Sequence, residues 1–165
     1  MRLKSVLVLS LILAATSPST GRMFDNWSYS KLFKAADLVV IARAGPTVDT
    51  GAKPTDPRYA DMLVGEETQF TIESVLQGKA PVGGLTVRHF RFADSNKIGF
   101  DGPQLAFFRT KPRVFKGPDI GYVSLGIPDY LWFLRPTGDG AFEPVSGQID
   151  AAQSVKEMYG SSGGE

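Results

Sequence analysis

The chain has 165 residues with 18 basic and 17 acidic side chains, a formal charge of +1, one histidine and no cysteine. Near-neutral charge argues against a nucleic-acid binder, which carries a basic excess. The lack of thiols excludes thiolate catalysis, disulfide exchange and cysteine-ligated metal sites, and the length suits one domain with its own core.

The first element in chain order is a leader. Arg2 and Lys4 precede the apolar run Ser5–Ala15, and TSPSTG follows it. A charged start, an apolar stretch shorter than the ~20 residues of a membrane span and a small-residue exit are the parts of a signal peptide. Residues 1–21 are read as that signal, with cleavage between positions 15 and 21; an uncleaved membrane anchor is the alternative. The expected product is exported, periplasmic or secreted, and has no membrane span after cleavage. It forms one domain over residues 22–160, followed by a disordered tail at 161–165.

Ser28 or Ser30 is expected to cap a short helix through SKLFKAAD, with Leu32, Phe33 and Ala36 on its buried side. The helix runs into LVVIARA, residues 38–44, whose apolar and β-branched residues predict a strand covered on both faces. Gly45-Pro46 ends it. Residues 46–66, rich in Pro, Asp, Thr and Gly, predict a long loop. In ETQFTIESVLQGK, Thr68, Phe70 and Ile72 share one strand face, Val75-Leu76 breaks the alternation as a bulge would, and Gly78 turns the chain.

Leu85–Phe92 predicts a further strand, followed by the polar turn ADSNKIGFDGP, the apolar QLAFFRT and the irregular TKPRVFKGPDIG. Tyr122–Leu125 reads as a short edge strand. Tyr130–Leu134 and Phe142–Ile149 predict a hairpin that reverses at Thr137–Gly140, where Asp139-Gly140 suits positive φ. A closing helix is expected from an N-cap at Asp150, with Ala152, Val155 and Tyr159 inward and Gly160 as its stop. The fold class is therefore mainly β: a small closed or partly open antiparallel Greek-key barrel, OB-like, with a short N-terminal helix and a C-terminal helix. YLWFL, residues 130–134, is apolar on both faces. That pattern suits a central strand between the barrel interior and a helix, with Trp132 in the core rather than on a ligand platform.

The segments KAADLVVIARA, ESVLQGK, YLWFL and GAFEPVSGQID, within residues 28–159, resemble a broad group of exported bacterial proteins of the netrin-module and tissue-inhibitor-of-metalloproteinases type. The resemblance implies a five-stranded Greek-key OB barrel with flanking helices. In the animal inhibitors an N-terminal cysteine chelates the protease zinc. This chain has no cysteine, so that mechanism does not carry over.

Catalytic parts are sparse. His89 is the sole base of near-neutral pKa and lies mid-strand between Arg88 and Arg91, on the face of Val87. There is no G-x-S-x-G, and a structural or surface histidine is the expected role. Asp49, Asp56, Asp61, Glu66 and Glu67 fall in or beside the predicted loop, where solvation rather than calcium binding is expected. Arg109, Lys111, Arg113 and Lys116 are interleaved with Phe107, Phe108 and Phe115 and form a candidate ligand or partner surface. A solvated basic turn is the expected reading of them; as a binding surface they would take an envelope protein, an anionic glycan or a lipid headgroup. No catalytic, cofactor-binding or metal-ligating residues are assigned, and no cofactor is expected. The expected function is that of an exported non-catalytic binding module. A module inserting a loop into a protease and an envelope hydrolase using carboxylates are the alternatives.

Overall fold

In a computed structural model, residues 26–94, 102–117 and 121–159 are described. The signal at 1–21, most of the polar turn at 93–103, Gly160 and the tail lie outside the described residues. Among the described residues, no helix is long and apolar enough to cross a membrane.

Ser28 caps the helix α1, Tyr29–Ala35, its side chain accepting from the Lys31 N–H at 3.2 Å. The chain then enters β1, Leu38–Asp49. Gly45-Pro46 does not end this strand. The register with β2, Leu63–Gln77, shifts between Ala44 and Thr47, so the pair sits in a bulge where a missing ladder N–H is tolerated. A glycine is required there by contact: a Cβ on Gly45 would lie 3.0 Å from the Gln69 carbonyl oxygen. The expected loop therefore shrinks to residues 50–62. A 3₁₀ turn at Pro57–Tyr59 buries Tyr59, and paired bonds join Thr50 and Ala52 to Gly65. The bulge read at Val75-Leu76 is present, since Val39 faces Gln77, Val40 faces Val75 and Leu76 has no partner in β1.

β3 is Leu85–Phe92, β4 Arg113–Gly117, β5 Gly121–Leu125, β6 Asp129–Pro136 and β7 Phe142–Pro144. The segment read as irregular thus holds a strand, which pairs with β5 in a sheet separate from the barrel. The main sheet runs β1-β2-β3-β7-β6, and β6 closes back on β1 as a five-stranded barrel. It is mixed rather than all-antiparallel, because Val87 of β3 faces Phe142 of β7 in parallel.

The expected C-terminal helix is not formed. Residues Gln148–Ser154 make a kinked 3₁₀ segment, and Asp150 lies inside it with φ −115° and ψ 33° rather than at an N-cap. The strand β8, Val155–Met158, follows and pairs with Asp129–Trp132 of β6. Two physical causes compete successfully with helix propensity. The β7 pairing covers only Leu134–Pro136, which leaves the other half of that β6 edge with unmet backbone groups. The Ser154 hydroxyl is also taken by the Ser146 N–H at 2.9 Å and sits 2.6 Å from the Ser146 hydroxyl, which anchors the chain before a helix could propagate. The hairpin's second strand ends early too, where Gly147 turns with φ 89°. Its reversal uses positive φ at Gly138 and Gly140, not at Asp139.

β6 divides its side chains as its two-faced pattern suggests. Tyr130, Trp132 and Leu134 enter the barrel with Leu38, Val40, Ala42, Phe70, Leu85 and Val87. On the outer face Phe133 packs with Leu32 of α1, Ala36 just after it, Val39 and Val145, and its ring meets Phe33 edge-on at 5.0 Å. A third cluster joins Tyr59, Leu63, Phe90, Phe92 and Leu105. QLAFFRT forms no strand, yet it carries Phe108 into the barrel, with ring centroids 5.2 Å from Phe70 and Trp132.

Candidate functional site

At one end of the barrel the inward positions turn from apolar to polar. Antiparallel register sets Thr47 opposite Thr68, Asp49 opposite Glu66, and Glu66 opposite His89. Directly opposed residues share a face, so these side chains continue the interior column of Phe70, Leu85 and Val87. Arg91, two residues beyond His89, completes the set.

Their hydrogen bonds form a chain. The Thr47 and Thr68 hydroxyls are 2.7 Å apart, and Thr68 Oγ1 lies 2.8 Å from His89 Nε2. On the other side of the ring, His89 Nδ1 faces Glu66 Oε2 at 3.6 Å, too long for a hydrogen bond, and no group satisfies it. Glu66 Oε1 takes Arg91 Nε at 3.0 Å, and Asp49 holds the same guanidinium by two bonds of 3.1 and 2.7 Å. Ala106, Phe107 and Phe108 line the other side, with the Phe108 ring edge-on to His89 at 4.9 Å, and Phe92 and Ala93 border it at the end of β3. The cavity between them has a volume of about 480 Å³, within the range of small-molecule sites.

Burial governs the electrostatics. It pulls the His89 pKa down to about 4, against a smaller opposite pull from the Phe90 backbone, although nothing lies in hydrogen-bonding geometry to Nδ1. The ring is neutral because it is buried rather than because arginines flank it. Arg88 points outward to Glu67 and Asp139, each at 2.7 Å. Burial raises the Glu66 carboxyl above its usual range against the pull of Arg91, while hydrogen bonds from Arg91 lower that of exposed Asp49.

The basic residues singled out in the sequence lie elsewhere. The Arg109 N–H donates to the Tyr130 hydroxyl at 2.7 Å, and its side chain reaches toward Glu157 of β8 at 3.8 Å. Lys111 is exposed in the segment before β4. Arg113 and Lys116 are both exposed on β4, at odd and even positions, so strand alternation turns them to opposite faces of the hairpin. Arg109 and Arg113 both come near the Tyr159 hydroxyl, and Lys116 turns away from Arg113. Of the acids, Asp49 and Glu66 join the barrel mouth, Glu67 binds Arg88 on the outer face, and Asp56 caps the 3₁₀ turn through the Arg58 N–H. Among the described residues no cluster of His, Asp and Glu is disposed to hold a metal ion.

Sequence reasoning missed the mouth as a unit. A signal was present: Glu66 and Thr68 stand two apart on the face of Phe70, and His89 and Arg91 two apart on the face of Val87. Polar residues at core-facing positions of two neighbouring strands mark a lined opening.

No family model matches the chain, and no curated protein is found as a significant match.

Proposed function

We propose that the chain is an exported, non-catalytic binding module built on an OB-like barrel, and that the barrel mouth grips a small ligand or a protruding group of a partner. The strand order, closed through β6 on β1 with β3 beside β7 in parallel, supports the OB-like reading. The charged, apolar, small-residue start of the chain supports export. The observation that carries the binding reading is the mouth: one cavity with hydroxyl, imidazole, carboxylate and guanidinium along one wall and phenyl rings along the other. Such an apolar pocket with a few convergent polar groups is the common form of a ligand site.

The test is a titration of ¹⁵N-labelled protein with small aromatic fragments bearing amine, alcohol or carboxylate groups. Saturable amide shifts clustered at Thr47, Glu66, His89 and Phe107 are expected. Shifts scattered over the surface, or none, would remove the mouth as a binding site.

One observation favours a second reading, a hydrolase using carboxylates. Glu66 and Asp49 hold one guanidinium between them while their environments push their pKa values in opposite directions, and such divergence is typical of acid–base pairs. Turnover of an ester, peptide or glycoside substrate that disappears in Glu66→Gln would establish it.

A further inference from the structure

We propose that the group taken into the barrel mouth is a primary ammonium on an apolar stem, an inference that rests on the mouth being a binding site. The polar wall is rich in acceptors. Arg91 is the cation that lines it, and each of its three guanidinium nitrogens already has a partner. Nε bonds Asp49 and Glu66, Nη2 bonds Asp49, and Nη1 bonds the Phe92 carbonyl at 3.0 Å. Two carboxylates oppose that single guanidinium, and the buried imidazole is neutral, so the local charge is negative. An anionic ligand meets repulsion here, whereas a cation completes the balance.

The position of the missing donor is also defined. His89 is only 2 % exposed, and its Nδ1 has no hydrogen-bond partner although it faces Glu66 Oε2 at 3.6 Å. When Nε2 donates to Thr68, two acceptors face each other with no donor between them, and a cation seated against Glu66 from the cavity side relieves that pair. In the other tautomer Nδ1–H turns toward Oε2, and the carboxylate keeps its charge for the ammonium. The remaining wall suits the stem. Phe107 and Phe108 present aromatic surface, which an ammonium tolerates at its faces and an alkyl or aryl chain packs against. A volume of about 480 Å³ admits a small arylalkyl amine or one lysine side chain, not a folded segment.

The experiment compares matched probes near neutral pH, localised by the same amide shifts. Phenethylamine is set against phenethyl alcohol and hydrocinnamate, and Nα-acetyl-lysine methyl ester against its norleucine counterpart. The amines should bind about tenfold more tightly than their neutral partners, the scale of one charge-assisted hydrogen bond, and Glu66→Gln should erase that preference. Preference for the lysine ester over the free amine identifies a partner's lysine as the source; the reverse identifies a small amine. If alcohol or carboxylate binds as well as amine, or if the preference survives Glu66→Gln, the ammonium assignment is overturned while the mouth stays a binding site. If no probe shifts the mouth residues at millimolar concentration, both readings fall. The wild-type comparison of amine with alcohol decides the matter even if the variant does not fold.

Discussion

Thr68 Oγ1 and His89 Nε2 lie 2.8 Å apart across the β2–β3 pair, and both residues are buried. This single contact converts the chain's only imidazole from a candidate surface base into part of the barrel wall. It also gives that imidazole a large pH linkage. Because the folded pKa is about 4 against an ordinary 6.5, the unfolded chain binds a proton through that window and the native state does not.

The first prediction follows from the sign of that difference. Stability from His89 is complete above about pH 6.5 and is lost as pH falls toward about 4, by up to ~3 kcal/mol. Glu66 works the other way, since burial raises its carboxyl and the fold retains that proton to higher pH. Urea unfolding of wild type and His89→Gln across this range isolates the histidine. Wild type should lose up to ~3 kcal/mol more than the variant on acidification. Parallel stability curves would refute the linkage.

Trp132 is fully buried in the barrel, with Phe70 at 5.4 Å and Phe108 at 5.2 Å between ring centroids, yet its indole N–H has no partner. Trp132→Ala should cost roughly 3–5 kcal/mol, the range for emptying a core aromatic site. Trp132→Phe should cost less than half as much, because it keeps a ring and removes an unsatisfied donor. Equal losses in thermal unfolding would show that the indole N–H is satisfied after all.

Gly78 ends β2 with φ 82°, and a Cβ there would run into the Asp37 carbonyl at the start of β1. Both strain and contact oppose a side chain. Gly78→Ala should destabilise by about 1–3 kcal/mol, measured by chemical denaturation, whereas Gly84→Ala carries the strain of φ 109° but no clash within 4 Å and should cost less. The reverse ranking would mean that the Asp37 end of the β1–β2 pair relaxes around Gly78.

Local patterns told most where one residue's neighbours in sequence were its neighbours in space. The Ser28 cap, the alternation of Thr68, Phe70 and Ile72, the Leu76 bulge and the two-faced β6 were legible because each is a short-range property. The closing helix was not, because Val155–Met158 answers to an open edge of β6 supplied from more than twenty residues away. Gly45-Pro46 looked like a stop and proved a bulge, which moved Thr47 and Asp49 from an imagined loop onto β1. The mouth depends on that register across β1, β2 and β3. Without pairing, Glu66 was one acid among several and His89 a lone imidazole.

The last prediction separates the hydrogen bonds of the mouth from its packing. Thr68 is wholly buried and links the Thr47 hydroxyl to the His89 ring. Thr68→Val keeps the volume but leaves His89 Nε2 without its partner inside the barrel, and an abandoned buried polar group costs about 1–3 kcal/mol. Thr68→Ser keeps the hydroxyl and gives up one methyl, about 0.5–1.5 kcal/mol by analogy with Ile→Val. The valine variant should therefore be the less stable of the two despite being the better strand former. It should also weaken amine binding at the mouth, since a ring freed from Thr68 no longer holds Nδ1 toward Glu66 Oε2. Denaturant titration with the phenethylamine titration on both variants checks this. A serine variant less stable than the valine variant would mean that Thr68 fills space and that the hydroxyl chain contributes nothing to the mouth.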